Sequence, residues 1–400
     1  MFARFSLLSQ VSIAHWVSHL HIMAIPALLP LLPAILNVSY TQLGIALGIF
    51  NTVSALVQAP LGFLVDKVGA RKMLLMALAL GAFSFFLLAL VPHFFMLLLV
   101  MGLAGCANGV YHPADYALLS RGISPEKMGR AFSIHTFAGF VGAAMAPLVL
   151  VWLTLHSDVR TAFIFTASMA VIAYIILRYA PNTDEQDSSL SSNIKKATVT
   201  IKPSKYVILL VFTIIFMMLG LSTGAIEKFS VSALHKGLKV DLDYANYGLT
   251  AFLFLSAVGV LAGGYLADRT SKHSVIAVAA FFLAAVLMLF IIQVNMPAIL
   301  LILTLGMIGF LTGMVAPSRD MLVRKIADKG SEGKVFGVVS TGFNLGGVVG
   351  PLYLGYLLDQ QMPMLVLWST VVFMLLTCII VLAQEIKQPS ETPNLQGNSN

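Results

Sequence analysis

The sequence predicts an all-α membrane protein of twelve transmembrane helices, arranged as two pseudo-symmetric six-helix bundles. Three observations carry that prediction: the composition, a series of twelve long apolar stretches, and an internal repeat. Of 400 residues, 58% are hydrophobic and 10% charged, with a mean hydropathy of +0.91. Soluble domains average roughly 45–50% apolar and 25% charged, so this chain has more apolar side chain than a water-facing surface could hide. A soluble enzyme is excluded.

A helix needs about 20 apolar residues to cross the hydrocarbon of a bilayer. The stretches run over 5–36, 41–66, 72–91, 94–120, 128–154 and 160–180 in the first half, and over 205–234, 243–268, 273–293, 297–325, 333–358 and 363–384 in the second, each bounded by charge, Gly or Pro. The first is much longer than the signal-peptide core of about 7–15 residues, so it is expected to stay as a membrane helix. Between the halves, Pro181 to Ser204 contains Asn182-Thr183-Asp184-Glu185-Gln186-Asp187-Ser188-Ser189 and Lys195-Lys196, too polar to pack a core. The predicted organisation is a bundle at 1–180, a linker at 181–204, a second bundle at 205–384 and a disordered tail at 385–400.

The net charge of +7 has no basic cluster on a soluble domain and no aromatic-interleaved patch, which argues against a nucleic-acid partner. It follows instead from orientation. With both termini and the even-to-odd loops in the cytoplasm, 19 of the 24 Lys and Arg fall on that side, against Arg160, Lys228, Lys236 and Lys239 opposite and Arg319 within a helix, as the retention of cations on the cytoplasmic side requires. Cys106 and Cys378 lie in different apolar stretches and are too few for a disulfide framework or a thiolate metal site.

Sliding the chain by 204 residues aligns Gly109 with Gly313, Pro113 with Pro317, Arg121 with Lys325, Gly129 with Gly333, Arg130 with Lys334, Phe132 with Phe336, Gly142 with Gly346 and Pro147 with Pro351. At a slip of 202, Gly62, Asp66 and Lys67 meet Gly264, Asp268 and Arg269. Parallel halves of this kind place a substrate path at their interface near the middle of the membrane.

Between the second and third stretches stands Gly62-Phe63-Leu64-Val65-Asp66-Lys67-Val68-Gly69-Ala70-Arg71-Lys72. A small residue permits close packing, Asp66 suits a helix N-terminus, Gly69 makes a tight turn, and the bases anchor the interface. With twelve segments, two related halves and a central linker, this loop resembles the signature of the major facilitator superfamily over residues 5–384. The second copy, Gly264-Tyr265-Leu266-Ala267-Asp268-Arg269, departs from it with Thr270-Ser271-Lys272 in place of the turn glycine. The resemblance implies that Gly62, Asp66, Gly69, Arg71, Asp268 and Arg269 act as conformational latches; anchoring by positive charge is the plainer alternative.

The fourth stretch carries Asn108-Gly109-Val110-Tyr111-His112-Pro113-Ala114-Asp115-Tyr116. Asn108, His112 and Asp115 recur at i, i+4 and i+7 on one helical face, where ionisable groups are costly unless they meet a cavity or a partner. His112-Pro113 before a polar helix end is similar to the fosmidomycin-resistance-type branch, whose members are drug exporters; related branches import siderophores or other organic acids. The superfamily resemblance also implies that Asp115 pairs with Arg71. For His112, proton or substrate handling stands beside a packing hydrogen bond.

In the first stretch, His15 and His19 share a face at i, i+4, and the resemblance places that helix along the cavity. Imidazole switches charge near neutral pH, so the pair suits proton coupling or anion binding, with interhelical bonding as the alternative. Two histidines at this spacing can chelate a metal, but further ligands are not evident, and no metal or cofactor is expected. The fifth stretch adds His135 and Thr136, then Gly139, Gly142 and Ala146-Pro147, a degenerate form of the antiporter Gly-Pro motif that is fuller at Gly346, Gly350 and Pro351; close helix packing explains these glycines by itself. Glu227-Lys228 near the opposite interface reads as a coupling group or a snorkelling helix end. Arg319, the repeat partner of Asp115, is suited to attract an anionic substrate or, with Asp320, to staple the inner gate. Asn51, Ser54, Gln58 and Asn344 are candidate cavity polars.

No Gly-x-x-x-x-Gly-Lys-Ser/Thr sequence is present, so the chain is not expected to use ATP by itself. The sequence therefore reads as a bacterial inner-membrane secondary transporter, monomeric and not an enzyme. It rocks its two halves to exchange protons for a small organic solute or drug. A proton-driven importer of an anionic metabolite or siderophore, with Arg319 and the first-helix histidines as ligands, is the alternative; a non-transporting receptor on the same fold is a third reading.

Overall fold

A computed structural model of the chain describes residues 5–124, 127–180, 206–267, 269–270, 272–326 and 332–387. The expected linker and most of the expected tail lie outside them, as do Asp268 and the side chain of Asp66.

The described residues form thirteen α-helices: α1 (Leu7–Leu28), α2 (Leu32–Leu36), α3 (Tyr40–Val68), α4 (Ala70–Leu90), α5 (Phe94–Gly122), α6 (Met128–His156), α7 (Val159–Tyr179), α8 (Tyr206–Gly237), α9 (Leu242–Ala267), α10 (His273–Gln293), α11 (Ala298–Ile326), α12 (Glu332–Asp359) and α13 (Pro363–Lys387). Eleven of them are long and apolar enough to cross a membrane. The twelfth expected span, 333–358, corresponds to α12. The first apolar stretch is not one helix. Pro30 supplies no N–H, α1 closes with Leu29 N–H donating to the Pro26 carbonyl, and the chain restarts at α2 with Pro33 in its first turn. Hydropathy runs unbroken through this corner, so the sequence reading merged the two.

Each helix of the first half except the short α2 has a counterpart in the second. In the first bundle α1 packs on α6, α3 on α5, and α4 on both α5 and α7; in the second α8 packs on α12, α9 on α11, and α10 on both α11 and α13. The two bundles meet through α3 against α12 and α6 against α9, a pair of contacts related by the same symmetry. The outward faces carry large apolar side chains such as Phe83, Phe86, Ile164, Phe282 and Ile379 in exposed positions, as a lipid-facing surface demands.

With twelve spans, the first turn of α1 and the last turn of α13 lie on one side, called here the terminal face. On the opposite face the seam between bundles is closed. Asp359 at the end of α12 accepts from Tyr40 N–H (2.8 Å), Thr41 N–H (2.8 Å) and Thr41 Oγ1–H (2.5 Å), capping α3 from the other bundle with a negative charge at a helix N-terminus. Beneath it, a Cβ on Gly44 would strike the Pro351 carbonyl, and one on Gly355 the Tyr40 carbonyl. Glycine at both positions lets the backbones touch.

On the terminal face, α3 and α4 are joined by Gly69 alone. Its φ of +99° is a value L-residues rarely adopt, and its N–H closes α3 on the Val65 carbonyl. The expected turn glycine is thus in place.

Candidate functional site

The first bundle buries a cluster of ionisable side chains at one depth. Leu7 to His15 in α1, Gly122 back to Asp115 in α5, and Met128 to His135 in α6 are eight, seven and seven residues from the terminal-face helix ends, about two turns. Asp115, His135 and His15 are 0%, 1% and 3% exposed. His135 Nε2 donates to Asp115 Oδ2 at 3.0 Å, and His15 Nδ1 lies 3.4 Å from the same oxygen. The two imidazoles stack with centroids 3.8 Å apart. His19 meets His15 edge-on at 4.6 Å, and the His112 ring is 5.4 Å from that of His15. Both His19 and His112 are only partly buried.

The local sequence makes this convergence possible. His15 and His19 are one turn apart on α1, and Gly139 on α6 leaves room for them: a Cβ there would come within 2.7 Å of His15 Nε2 and 2.9 Å of His19 Cδ2. One turn further on, Gly142 packs α6 on the backbone of Trp16. Asp115 Oδ1 and His112 Nδ1 are buried without a hydrogen-bond partner. A network built only for packing satisfies its members; this one leaves those two atoms and His15 Nδ1 without a hydrogen bond in an apolar bundle.

Asp115 does not pair with Arg71, as the resemblance had implied. The Arg71 guanidinium donates to the carbonyls of Leu177 (2.5 Å) and Ala180 (2.8 Å), capping the C-terminal end of α7. Asp115 lies two turns deeper, where imidazoles from α1 and α6 reach it first. Asn108 does not reach the cluster either: its amide donates to Ser54 Oγ on α3 at 2.8 Å.

The second bundle carries a different arrangement on the equivalent helices. Arg319 of α11 pairs with its neighbour Asp320, Nη2 to Oδ1 at 2.7 Å. Its guanidinium sits 5.0 Å from the ring centroid of Phe216 on α8 and 5.1 Å from that of Phe343 on α12, a cation over two aromatic faces. Asp115 between α1 and α6 and Arg319 between α8 and α12 therefore occupy matching positions with opposite charge.

The model of the Major Facilitator Superfamily matches residues 11–234 and 228–398. The chain belongs to the Major Facilitator Superfamily. Among curated members of this family of membrane transporters, it is 28% identical over 273 residues to the MFS-type transporter YfnC of Bacillus subtilis (strain 168), covering 66% of each chain. It is 25% identical over 276 residues to the fosmidomycin resistance protein of Escherichia coli (strain K12), covering 68% of this chain and 67% of that one. The matched part thus spans about two thirds of these relatives. A crystal structure of a mutant of the nucleoside transporter NupG superposes with a TM-score of 0.75 at 16% identity, over 94% of this chain and 99% of that one, which establishes the shared superfamily fold.

Within that fold the remaining candidates spread out. Asn51 donates to the Leu47 carbonyl at 2.8 Å and lies against Gly347 across the seam. Asn344 is partly buried beside Phe343 in α12, and Glu227 and Lys228 are partly buried in α8; none of these joins the histidine cluster. In the loop signature, Gly62 sits against Pro113 of α5. In its second copy Arg269 stacks over the Tyr265 ring at 3.9 Å. Tyr116, not among the sequence candidates, packs its ring on His112 (5.8 Å) and His135 (6.1 Å). Its spacing of four from His112 was the available signal.

Proposed function

We propose that the chain is a secondary transporter that works by alternating access, coupling proton movement to export of a small organic solute. The observation that carries this reading is the buried His15–Asp115–His135 cluster: ionisable groups deep in a membrane bundle are expensive and mark proton or ion relays. The partly buried His19 and His112 connect the cluster toward the interior. Asp115 holds the proton, His135 and His15 exchange it, and rocking of the bundles about the α3–α12 and α6–α9 contacts changes the face from which the cluster is reached. The closed opposite-face seam corresponds to the state served from the terminal face; the excess of Lys and Arg on that side supports reading it as the cytoplasmic one, in a bacterial inner membrane. The loop around Gly69 and Arg71 acts as the latch on that face, and the working unit is a monomer.

The likeness to a fosmidomycin resistance protein supports export and makes that phosphonate the first probe. Accumulation of radiolabelled fosmidomycin, with a panel of drugs and organic acids beside it, is to be compared between inside-out and right-side-out vesicles energised by a proton gradient. Accumulation in the inside-out vesicles supports export; accumulation only in the right-side-out ones overturns it. A second reading, proton-driven import of an anionic metabolite, is favoured by Arg319, whose guanidinium between two aromatic rings is suited to a carboxylate or phosphonate.

A further inference from the structure

We propose that His15, Asp115 and His135 form a binding site for a divalent transition-metal ion of the zinc or cobalt class, with His112 as its fourth ligand. This uses the cluster described above but does not depend on its acting as a proton carrier.

The geometry comes first. Asp115 Oδ2 is 3.0 Å from His135 Nε2 and 3.4 Å from His15 Nδ1, and the three ligand atoms lie within 4.8 Å of one another. Zinc bonds of about 2.0–2.2 Å in tetrahedral geometry set ligand–ligand edges of roughly 3.3–3.6 Å. Two edges of the triangle are therefore near the required length; the His15 and His135 rings, stacked 21° from parallel, must turn relative to each other to direct both nitrogens at one ion. The lone pairs are the second observation. His112 Nδ1 is buried without a hydrogen-bond partner, its ring is 5.4 Å from that of His15, and Asp115 Oδ1 is likewise unpartnered.

The donor set decides which ion. Three imidazole nitrogens and one carboxylate are a poor match for calcium or magnesium, which take oxygen ligands, and suit zinc, cobalt or nickel. The single carboxylate offsets half the charge of a divalent ion in an apolar bundle. The sequence shows only the His15–His19 pair. The further ligands arrive from α5 and α6, about a hundred residues away, and replace His19 as the chelating partner of His15.

The test is calorimetric titration of zinc into the purified full-length protein, with cobalt absorption as a readout of geometry. The proposal expects one saturable zinc equivalent and a tetrahedral cobalt spectrum that zinc abolishes. Asp115→Asn and His135→Gln, each removing a direct ligand, are expected to weaken zinc binding by more than the roughly 10- to 100-fold typical of an outer-shell partner, while His93→Gln and His156→Gln, both at exposed positions outside the cluster, leave it unchanged. Asp115→Asn keeps the side-chain shape, so it decides the matter if His135→Gln melts early. Absence of a tetrahedral cobalt spectrum, zinc binding that survives both cluster variants, or binding lost only in the two surface variants would overturn the proposal. Proton-coupled transport without zinc binding would leave the proposed function standing and remove this inference alone.

Discussion

Asp115 shares one carboxylate oxygen between two imidazoles while the other has no partner, so the space around those rings governs the site. Gly139 sets that space. A methyl group there would sit 2.7 Å from His15 Nε2 and Cδ2, closer than packed carbons allow, and the rings would have to turn. Gly139→Ala is expected to destabilise the protein by about 1–3 kcal/mol, read as a lower melting temperature in detergent, and to impair transport. Gly224→Ala is the contrasting case: a Cβ added there would meet nothing within 4 Å, and relief of glycine's backbone entropy predicts a gain of about 0.5–1 kcal/mol. Equal effects of the two substitutions would contradict this account. The residues of the site were legible one by one, because an ionisable group in an apolar stretch stands out. Their partners were not. Asn108 and Asp115 share a helical face, but seven residues separate them by about 10 Å along the axis, enough for one to meet α3 and the other α1 and α6. Periodicity fixes direction around a helix and says nothing of which neighbour stands at each level.

Among the helices, eleven of the twelve spans begin and end within about three residues of the limits set by charge, Gly and Pro, since the bilayer gives hydropathy a fixed length to satisfy. The exception is the break at Pro30, where every flanking residue is apolar and the corner changes direction without changing polarity. The cap on α3 was also beyond the sequence, because Asp359 comes from the far end of the chain. Asp359→Ala removes three accepted hydrogen bonds and is expected to cost the closed seam about 0.5–2 kcal/mol. Spin labels at Ala34 and Gln360, in a background lacking Cys106 and Cys378, should then report a longer distance population on the opposite face. Burial works against the charged form of this carboxyl, but the bonds from Thr41 and Tyr40 outweigh it and hold its pKa below the ordinary range. A depressed carboxyl contributes stability that is fully present above its ordinary pKa of about 4 and is lost as pH falls through the lower folded value. The distance between the labels should therefore stay constant from neutral pH down to about pH 5 as far as this group is concerned, and lengthen only in stronger acid. Lengthening already near neutrality in the wild type, absent in Asp359→Ala, would mean that this carboxyl titrates above its ordinary range and would contradict this account.

At the scale of the whole molecule, duplication supplied two matching sets of three helices, and divergence gave them opposite charge: Asp115 between histidines on α1 and α6, Arg319 between phenylalanines on α8 and α12. The repeat was legible as aligned Gly and Pro positions, while the aromatic clamp was not, because Phe216 and Phe343 are ordinary apolar residues until the fold brings them to a cation. If Arg319 receives an anionic solute, Arg319→Lys should weaken uptake of anionic substrates without affecting neutral ones, since an ammonium lacks the planar fork; equal loss for both would assign Arg319 to gating with Asp320. The central claim, that the buried carboxylate carries the proton that drives the cycle, is tested most directly by solute-driven proton movement in inside-out vesicles, followed with a pH-sensitive dye on adding whichever solute those vesicles accumulate. The account predicts proton movement with the wild type and none with Asp115→Asn at an unchanged melting temperature. Proton movement in Asp115→Asn at the wild-type rate would contradict it.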